Sequence, residues 1–366
     1  MKKIGIYVHI PFCKSKCYYC DFNSYSNKQC LIETYVKSVK KEIEEYNLGK
    51  YEIETIYIGG GTPSYINEKY IEEILKEIDI SKAKEITIEV NPGTVTYEKL
   101  QKYYNLGINR LSIGLQSTNN KLLKSIGRIH TYEQFLETYK ISRRVGFKNI
   151  NIDLMLGLPN QTLEDLQNSL EKIINLKPEH ISVYSLILEE ETILYNKVLN
   201  NEIILPIDEE ERCMYWQVKQ YLENNNYEHY EISNFALKNY RALHNTNCWE
   251  QKEYIGIGAG ASSFLNEKRY INSSLIEEYI ENNKQTVEEV LNKKSKMQEY
   301  VMLGLRKVEG ISLQEFRNKF KIDFLEEFKK EYTKLNNEGL LVLKNDYIKL
   351  SDKGIDLANL VWEEFV

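Results

Sequence analysis

Between residues 4 and about 190, short runs with strand character alternate with segments whose apolar residues recur at helical spacing, and this alternation constrains the fold most. Strands are predicted at 4–10, 54–58, 85–90, 108–115, 149–155 and 180–187. Helices are predicted at 29–46, 68–78, 97–104, 132–145 and 163–174, the first with Leu31, Tyr35, Val39 and Ile43 on one face. Such alternation implies parallel pairing through right-handed crossovers. Six units rather than eight make this an α/β fold with a partial (β/α)6 barrel. In such folds the site lies beyond the carboxyl ends of the strands. Cys13 to Cys20, Gly59 to Thr62, Glu89, Gln116 and Asp153 all fall at or just past a predicted strand end.

The remaining chain follows a different pattern. Its 366 residues suggest roughly two to three domains, divided here as 1–205 (barrel), 206–290 (a mixed α/β extension covering the barrel opening) and 291–366 (C-terminal). A helix is predicted at 208–223, an extended run at 230–236, and a loop over His244 to Trp249. The C-terminal part reads as winged-helix-like and helical, with helices at 313–320 and 324–335, then a hairpin turning at Lys344-Asn345-Asp346. A nucleic-acid-binding module is the competing class there. Lys319, Lys321, Lys329 and Lys330 interleave with Glu315, Asp323, Glu326 and Glu327, a mixed face that suits solvent or a protein partner. The net charge of −6 also argues against a general nucleic-acid binder. No apolar run approaches the roughly 20 residues that span a bilayer. The N-terminus enters a strand pattern directly, so reducing cytoplasm is the expected compartment.

Cys13, Cys17 and Cys20 are spaced C-x3-C-x2-C. Thiolates suit iron–sulfur clusters, zinc or copper(I). A disulfide framework fits poorly with six cysteines in a long chain. Structural zinc would need a fourth ligand, His9 or Cys30, and the cysteines could also be plain buried residues. The remaining reading is a four-iron cluster held at three corners, with one iron open to a non-protein ligand. Gly59-Gly60-Gly61-Thr62 is either an ordinary turn or a backbone cradle for close approach of a ligand. Glu89 is a carboxylate in an otherwise apolar strand and needs a partner.

The cysteine motif with Tyr19 just before its last cysteine resembles the signature of the radical S-adenosylmethionine superfamily. The run Tyr7-Val8-His9-Ile10-Pro11-Phe12-Cys13 narrows the resemblance to the oxygen-independent coproporphyrinogen III oxidases and their haem-chaperone relatives. The resemblance implies that Cys13, Cys17 and Cys20 hold a [4Fe–4S] cluster whose open iron is chelated by the methionine amino and carboxylate groups of S-adenosylmethionine. By the same resemblance Tyr7 belongs to the cofactor site and Tyr19 packs near the adenine. Gly60, Gly61 and Thr62 would meet the cofactor's amino group, Glu89 its ribose, and Ser262 would approach it from a returning segment. Gln116, Arg128 and Asp153 match residues that contact a second S-adenosylmethionine in the oxidases. Gly157 to Thr162 also fits, with Thr162 capping a helix. The glycine run 256–260 lacks G-x-G-x-x-G spacing and is not a dinucleotide site.

His244-Asn245-Thr246-Asn247-Cys248-Trp249 resembles the HNxxYW motif of HemW-type haem chaperones, with cysteine in place of tyrosine. This implies haem contact by His244, and Cys248 is an alternative ligand. The oxidases carry a further cysteine where this chain has Phe22, and a long extension ahead of the Tyr7 segment. The expected function is therefore a haem carrier that binds a [4Fe–4S] cluster and S-adenosylmethionine. It would pass haem to apo-haemoproteins, respiratory enzymes at the membrane among them, as a cytoplasmic or peripheral protein and a possible homodimer. The alternative is radical decarboxylation of coproporphyrinogen propionates, so enzyme status stays open at this level.

Overall fold

The computed structural model describes residues 1–282 and 285–366. Six strands, β1 (Lys2–Ile10), β2 (Tyr51–Gly60), β3 (Glu85–Val90), β4 (Arg110–Gln116), β5 (Ile150–Leu156) and β6 (His180–Ser185), pair in parallel in sequence order. One face of each strand is aliphatic: Ile6 and Val8, Ile56 and Ile58, Ile86 and Ile88, Leu111 and Ile113, Ile150 and Ile152, Ile181 and Val183. These residues share one buried core with the outer helices.

The other face is polar, carrying Thr55 and Tyr57, Thr87 and Glu89, Arg110 and Ser112, Asn151 and Asp153, His180 and Ser182. Parallel strands sandwiched between helix layers read as continuous apolar runs. Alternation in strands this deeply buried means that the second face looks into the sheet's own interior. The sheet curls accordingly: Tyr57 of β2 lies within electrostatic reach of Tyr184 at the end of β6.

Helix starts are fixed locally. Thr131 with Gln134 and Thr162 with Asp165 form capping boxes, and Gly146 at φ 118° ends the helix Tyr132–Val145. The predicted capping role of Thr162 is what the structure has.

Residues 206–290 extend the same sheet at both edges. At one edge β8 (Asn234–Ala236) runs antiparallel to β6, and β7 (Glu228–Glu231) lies outside it. At the other edge β9 (Tyr254–Ile257) is parallel to β1, followed outward by the antiparallel β10 (Ser262–Leu265), β11 (Lys268–Ile271) and β12 (Thr286–Val290). The predicted loop at His244 is instead the helix Leu243–Trp249. Its Asn and Thr residues are weak helix formers. Its first amides are satisfied from far away, because the Glu85 carboxylate accepts from the N–H groups of Leu243 (2.8 Å) and His244 (2.9 Å).

The C-terminal part has its own core, with Phe316, Phe324, Phe328 and Phe365 at its centre, against β13 (Ile311–Ser312), β14 (Leu341–Lys344) and β15 (Tyr347–Leu350). The hairpin turn stands where expected, with Asn345 and Asp346 both at positive φ. The predicted helix 324–335 is divided into Phe324–Glu327 and Lys329–Asn337, because Phe328 turns its ring into the core. Some of its cations are engaged: Lys319 lies over the Tyr300 ring at 4.5 Å, Arg317 pairs with Asp323, and Lys334 with Glu364. Burial pushes the Lys319 ammonium down to about 8.

One buried carboxylate fastens the β9 edge to the barrel. Glu42 of the helix Ile32–Glu45 accepts from the Gly258 N–H (2.9 Å), Asn272 Nδ2 (2.8 Å) and the Tyr279 hydroxyl (2.6 Å). Glu42→Ala leaves three donors unsatisfied and is expected to cost roughly 3–5 kcal/mol. Urea unfolding measures this, and a loss below about 1 kcal/mol would show the tie to be dispensable.

Candidate functional site

At the carboxyl ends of the six strands lies a cavity of about 410 Å³, with walls from every strand or the loop after it. Cys13, Cys17, Cys20 and Tyr19 line one side, and Gly60, Gly61 and Thr62 adjoin them. Glu89, Gln116, Arg128 and Asp153 complete the set that sequence analysis places together. Eleven predicted residues thus share one cavity.

The glycines are there because nothing larger fits. Gly60 adopts φ +113°, and a Cβ on it would lie 2.7 Å from the His9 ring. A Cβ on Gly61 would lie 3.0 Å from Cys13 Sγ. His9 itself is committed, since Nδ1 pairs with the Tyr7 hydroxyl (2.9 Å) and Nε2 with the Asn23 carbonyl (2.8 Å). It is therefore not a fourth metal ligand, and Cys30 is exposed on a separate turn.

The cysteines sit among hydrogen-bond donors. The Thr62 hydroxyl donates to Cys13 Sγ (3.4 Å), and Arg128 Nη1 donates to Cys17 Sγ (3.6 Å). Arg128 Nη2 also donates to Asn91 Oδ1 (2.8 Å) and to the Gly114 carbonyl, and Asn91 Nδ2 donates to Thr62 Oγ1 (2.8 Å). Among the described residues no three His, Cys, Asp or Glu side chains converge on one ion. The thiols are instead spread along a wall, with N–H and O–H groups aimed at sulfur. This donor set fits an iron–sulfur cluster, whose potential responds to such hydrogen bonds. Burial pushes the Cys13 and Cys20 thiols up, so a cluster bound there would release protons.

Opposite the cysteines, Glu89 accepts from the Tyr57 hydroxyl (2.9 Å) and the Gly60 N–H (3.2 Å). Burial foremost, then the charge of Asp153, pushes its carboxyl up to about 7. Asp153 accepts from Asn151 Nδ2 (2.7 Å) and the Ser112 hydroxyl (3.1 Å), and burial pushes it up too. Gln116 takes φ 71° at a register shift between Gly114 and Gln116, an uncommon backbone state that often accompanies functional sites.

Three predicted residues are not on the cavity wall. Tyr7 lies behind it, its ring 6.2 Å from that of Tyr57. Ser262 is carried away because it pairs with Ile271 in the β10–β11 ladder. The returning segment reaches the cysteine loop through the Ala259 carbonyl, which accepts from Asn23 Nδ2 (3.0 Å). His244 lies at the opposite, amino-terminal end of the barrel. It is 6% exposed, hydrogen-bonded through Nδ1 to Thr55 Oγ1 (2.9 Å), with its ring 5.5 Å from that of Tyr57. The His244 motif therefore closes the barrel floor rather than covering the cysteine-bearing mouth. Burial, then Arg110, pushes its imidazole down to about 4, and burial pushes the Cys248 thiol up to about 12. Both are neutral, which disfavours Cys248 as a thiolate ligand.

Sequence analysis missed Tyr57, Asn91, Ser112, Met155 and Tyr184 on the wall, and Arg110 beneath it. Polar residues at alternate strand positions, Thr55 and Tyr57, Arg110 and Ser112, Asn151 and Asp153, and His180, Ser182 and Tyr184, were the available signal. Arg110 is only 2% exposed, and its charge favours the ionised forms of Glu89 and Asp153.

The raised Glu89 value sets a pH dependence. Between 4.5 and about 7 the folded protein holds a proton that the unfolded chain has released. The stabilisation is complete below 4.5 and lost as pH rises through about 7. Glu89→Gln is thus expected to be more stable than the parent at about pH 8, by up to about 3 kcal/mol, and to show little difference at the acidic end. Denaturant midpoints at both pH values check this, and equal midpoints throughout would show that the carboxyl carries no extra proton.

Comparison with known proteins agrees with this geometry. Residues 7–173 match the Radical SAM superfamily model, and residues 291–357 match the HemN C-terminal domain model. The chain is 39% identical to the heme chaperone HemW of Lactococcus lactis, covering 100% of this chain and 98% of that protein. It is 34% identical to the heme chaperone HemW of Bacillus subtilis, covering 98% of each chain. The fold matches the Escherichia coli coproporphyrinogen III oxidase HemN, described as a radical SAM enzyme, with a TM-score of 0.85 at 22% identity, over 100% of this chain and 90% of that one. The chain belongs to the HemW heme-chaperone family of the radical SAM superfamily.

Proposed function

We propose that this protein is a haem carrier that binds a [4Fe–4S] cluster and S-adenosylmethionine at the barrel mouth and delivers haem to apo-haemoproteins, membrane-bound respiratory enzymes among them. The observation that carries the cofactor part is the meeting of three cysteines, the Gly60-Gly61-Thr62 backbone and Glu89 on one cavity. When bound, the cluster would supply an open iron that an amino acid moiety could chelate. The chain's own residues would do the rest. Cys13, Cys17 and Cys20 bind, and Thr62 and Arg128 stabilise negative charge on sulfur. The Gly60–Gly61 backbone admits the ligand closely, and a Glu89 carboxyl oxygen accepts from its ribose hydroxyls.

The carrier reading over the oxidase reading is supported by the family. Phe22 stands where the oxidases have a further cysteine. It is 63% exposed at the mouth, and Ile187, 67% exposed, lines the same rim. A tetrapyrrole on this rim would stand at the end of the barrel opposite His244, so the rim is a separate apolar surface and not part of the His244 contact. His244 is our proposed haem contact, held neutral and so able to offer a ring nitrogen. Among the described residues no helix is long and apolar enough to cross a membrane, so delivery at a membrane would be peripheral.

The deciding experiment titrates haem into anaerobically reconstituted protein beside an assay for coproporphyrinogen decarboxylation. A saturable Soret band with no carbon dioxide release is the expected result. Decarboxylation without stable haem binding would overturn the carrier reading in favour of the oxidase. His244→Ala is expected to weaken haem binding about tenfold or more, a loss of at least about 1.4 kcal/mol, while leaving iron content unchanged. Cys17→Ala is expected to lose the cluster's iron and its visible absorption, and retention of both would remove the cluster assignment.

A further inference from the structure

The helix Leu243–Trp249 carries His244 at one end and Trp249 at the other, and the two ends meet different parts of the molecule. At the barrel end, the imidazole is enclosed by Thr55 and Tyr57, and the Glu85 carboxylate holds the first amides. A tetrapyrrole cannot reach that ring unless the helix leaves the floor.

At the outer end, the C-terminal domain grips the helix. The Arg306 guanidinium lies over the Trp249 ring at 4.5 Å and over the Trp362 ring at 5.2 Å. Its Nη2 donates to Glu231 Oε1 at 3.0 Å, and the Glu231 side chain is 1% exposed. The backbone continues the grip: the Ile232 N–H donates to the Arg306 carbonyl, and the Val308 N–H to the Tyr230 carbonyl, both at 3.1 Å. The Tyr230 hydroxyl accepts from the Ala242 N–H (3.2 Å), immediately before the helix. The span 230–232 is therefore tied to the C-terminal domain on one side and to the start of the His244 helix on the other.

A permanent fastening would satisfy its polar atoms. Here Trp249 Nε1, Trp362 Nε1 and Arg306 Nε are all shielded from solvent without an acceptor among the described residues. Such donors oppose the closed contact and regain partners in water once it opens. Stacking, one ion pair and two backbone hydrogen bonds hold the contact shut, and its own unpaired N–H groups work against it.

We infer that Arg306 is a positioning residue, the catch of a latch by which the C-terminal domain holds the helix Leu243–Trp249, and His244 with it, in the barrel floor, and that release of this latch governs access to the imidazole. The significance for haem loading rests on the reading of His244 as a haem contact. The test compares hydrogen–deuterium exchange across residues 243–249, and haemin association, in the full-length reconstituted protein and in Arg306→Ala and Trp362→Leu.

Both variants are expected to exchange that helix about five- to thirty-fold faster, the factor that one or two kcal/mol of lost closure gives. Haemin association should quicken in step, with S-adenosylmethionine affinity unchanged. Arg306→Lys keeps a charge for Glu231 but not the planar stack, and should fall between. Should Arg306→Ala fail to fold because Glu231 is left as an unpaired buried charge, Trp362→Leu carries the test, since it spares that ion pair. Wild-type exchange of the helix in the folded variants would overturn the latch. Faster exchange without any change in haemin association would uphold the latch and remove the haem role of His244 instead.

Discussion

Everything in this protein depends on a parallel sheet whose inner face is polar. Burying Thr, Tyr, Glu, Arg, Asn, Asp and His side chains inside a barrel is unfavourable unless each finds a partner. Much of the interior answers with a connected network, although Thr87 Oγ1 and Arg110 Nε are shielded without a partner among the described residues. Asn151 Nδ2 donates to Asp153, Asn151 Oδ1 accepts from His180 Nδ1 at 2.6 Å, and His180 Nε2 accepts from the Tyr230 hydroxyl at 2.7 Å. The same hydroxyl meets the amide ahead of the floor helix. Cavity and floor are thus two ends of one hydrogen-bonded column.

The column makes the two ends chemically different. At the mouth, Glu89 and Asp153 keep acceptor capacity facing an open space, and burial holds both toward their protonated forms. A ligand bringing hydroxyls and positive charge satisfies what the protein leaves unfinished there. At the floor, the space is filled by a helix whose cap is a carboxylate 158 residues earlier in the chain. Its sequence could hardly hold a helix alone, so the helix exists only where the barrel supplies Glu85.

That contrast explains what could be read in advance. The six strands were legible because their outer faces are unbroken aliphatic runs, and strand 85–90 falls on its predicted bounds. The helices Tyr132–Val145 and Leu163–Ile174 were legible because their caps lie within the chain, at Thr131, Gly146 and Thr162. The cysteines, the glycines and Glu89 were legible because each is odd in its local setting. The helix Leu243–Trp249 was not, since its stabilising group is remote, and the break at Phe328 was not, since tertiary packing of one ring decides it. Arg110 and Ser112 escaped for another reason. A polar residue in a strand ordinarily reads as solvent-facing, and only the curl of the sheet turns it inward.

Arg110 then gains a role that neither strand pattern nor motif would assign. Its charge bears on Glu89 and Asp153 at the mouth, favouring their ionised forms. It bears equally on His180 and His244 toward the floor, where it disfavours protonation and adds to the effect of burial. A neutral imidazole is the form that the proposed haem contact requires, because only then does a ring nitrogen keep a free lone pair. One cation held in the barrel therefore prepares carboxylates to accept at one end and keeps an imidazole unprotonated at the other. Replacing it with an uncharged residue would disturb both ends together, which a residue serving either site alone would not do.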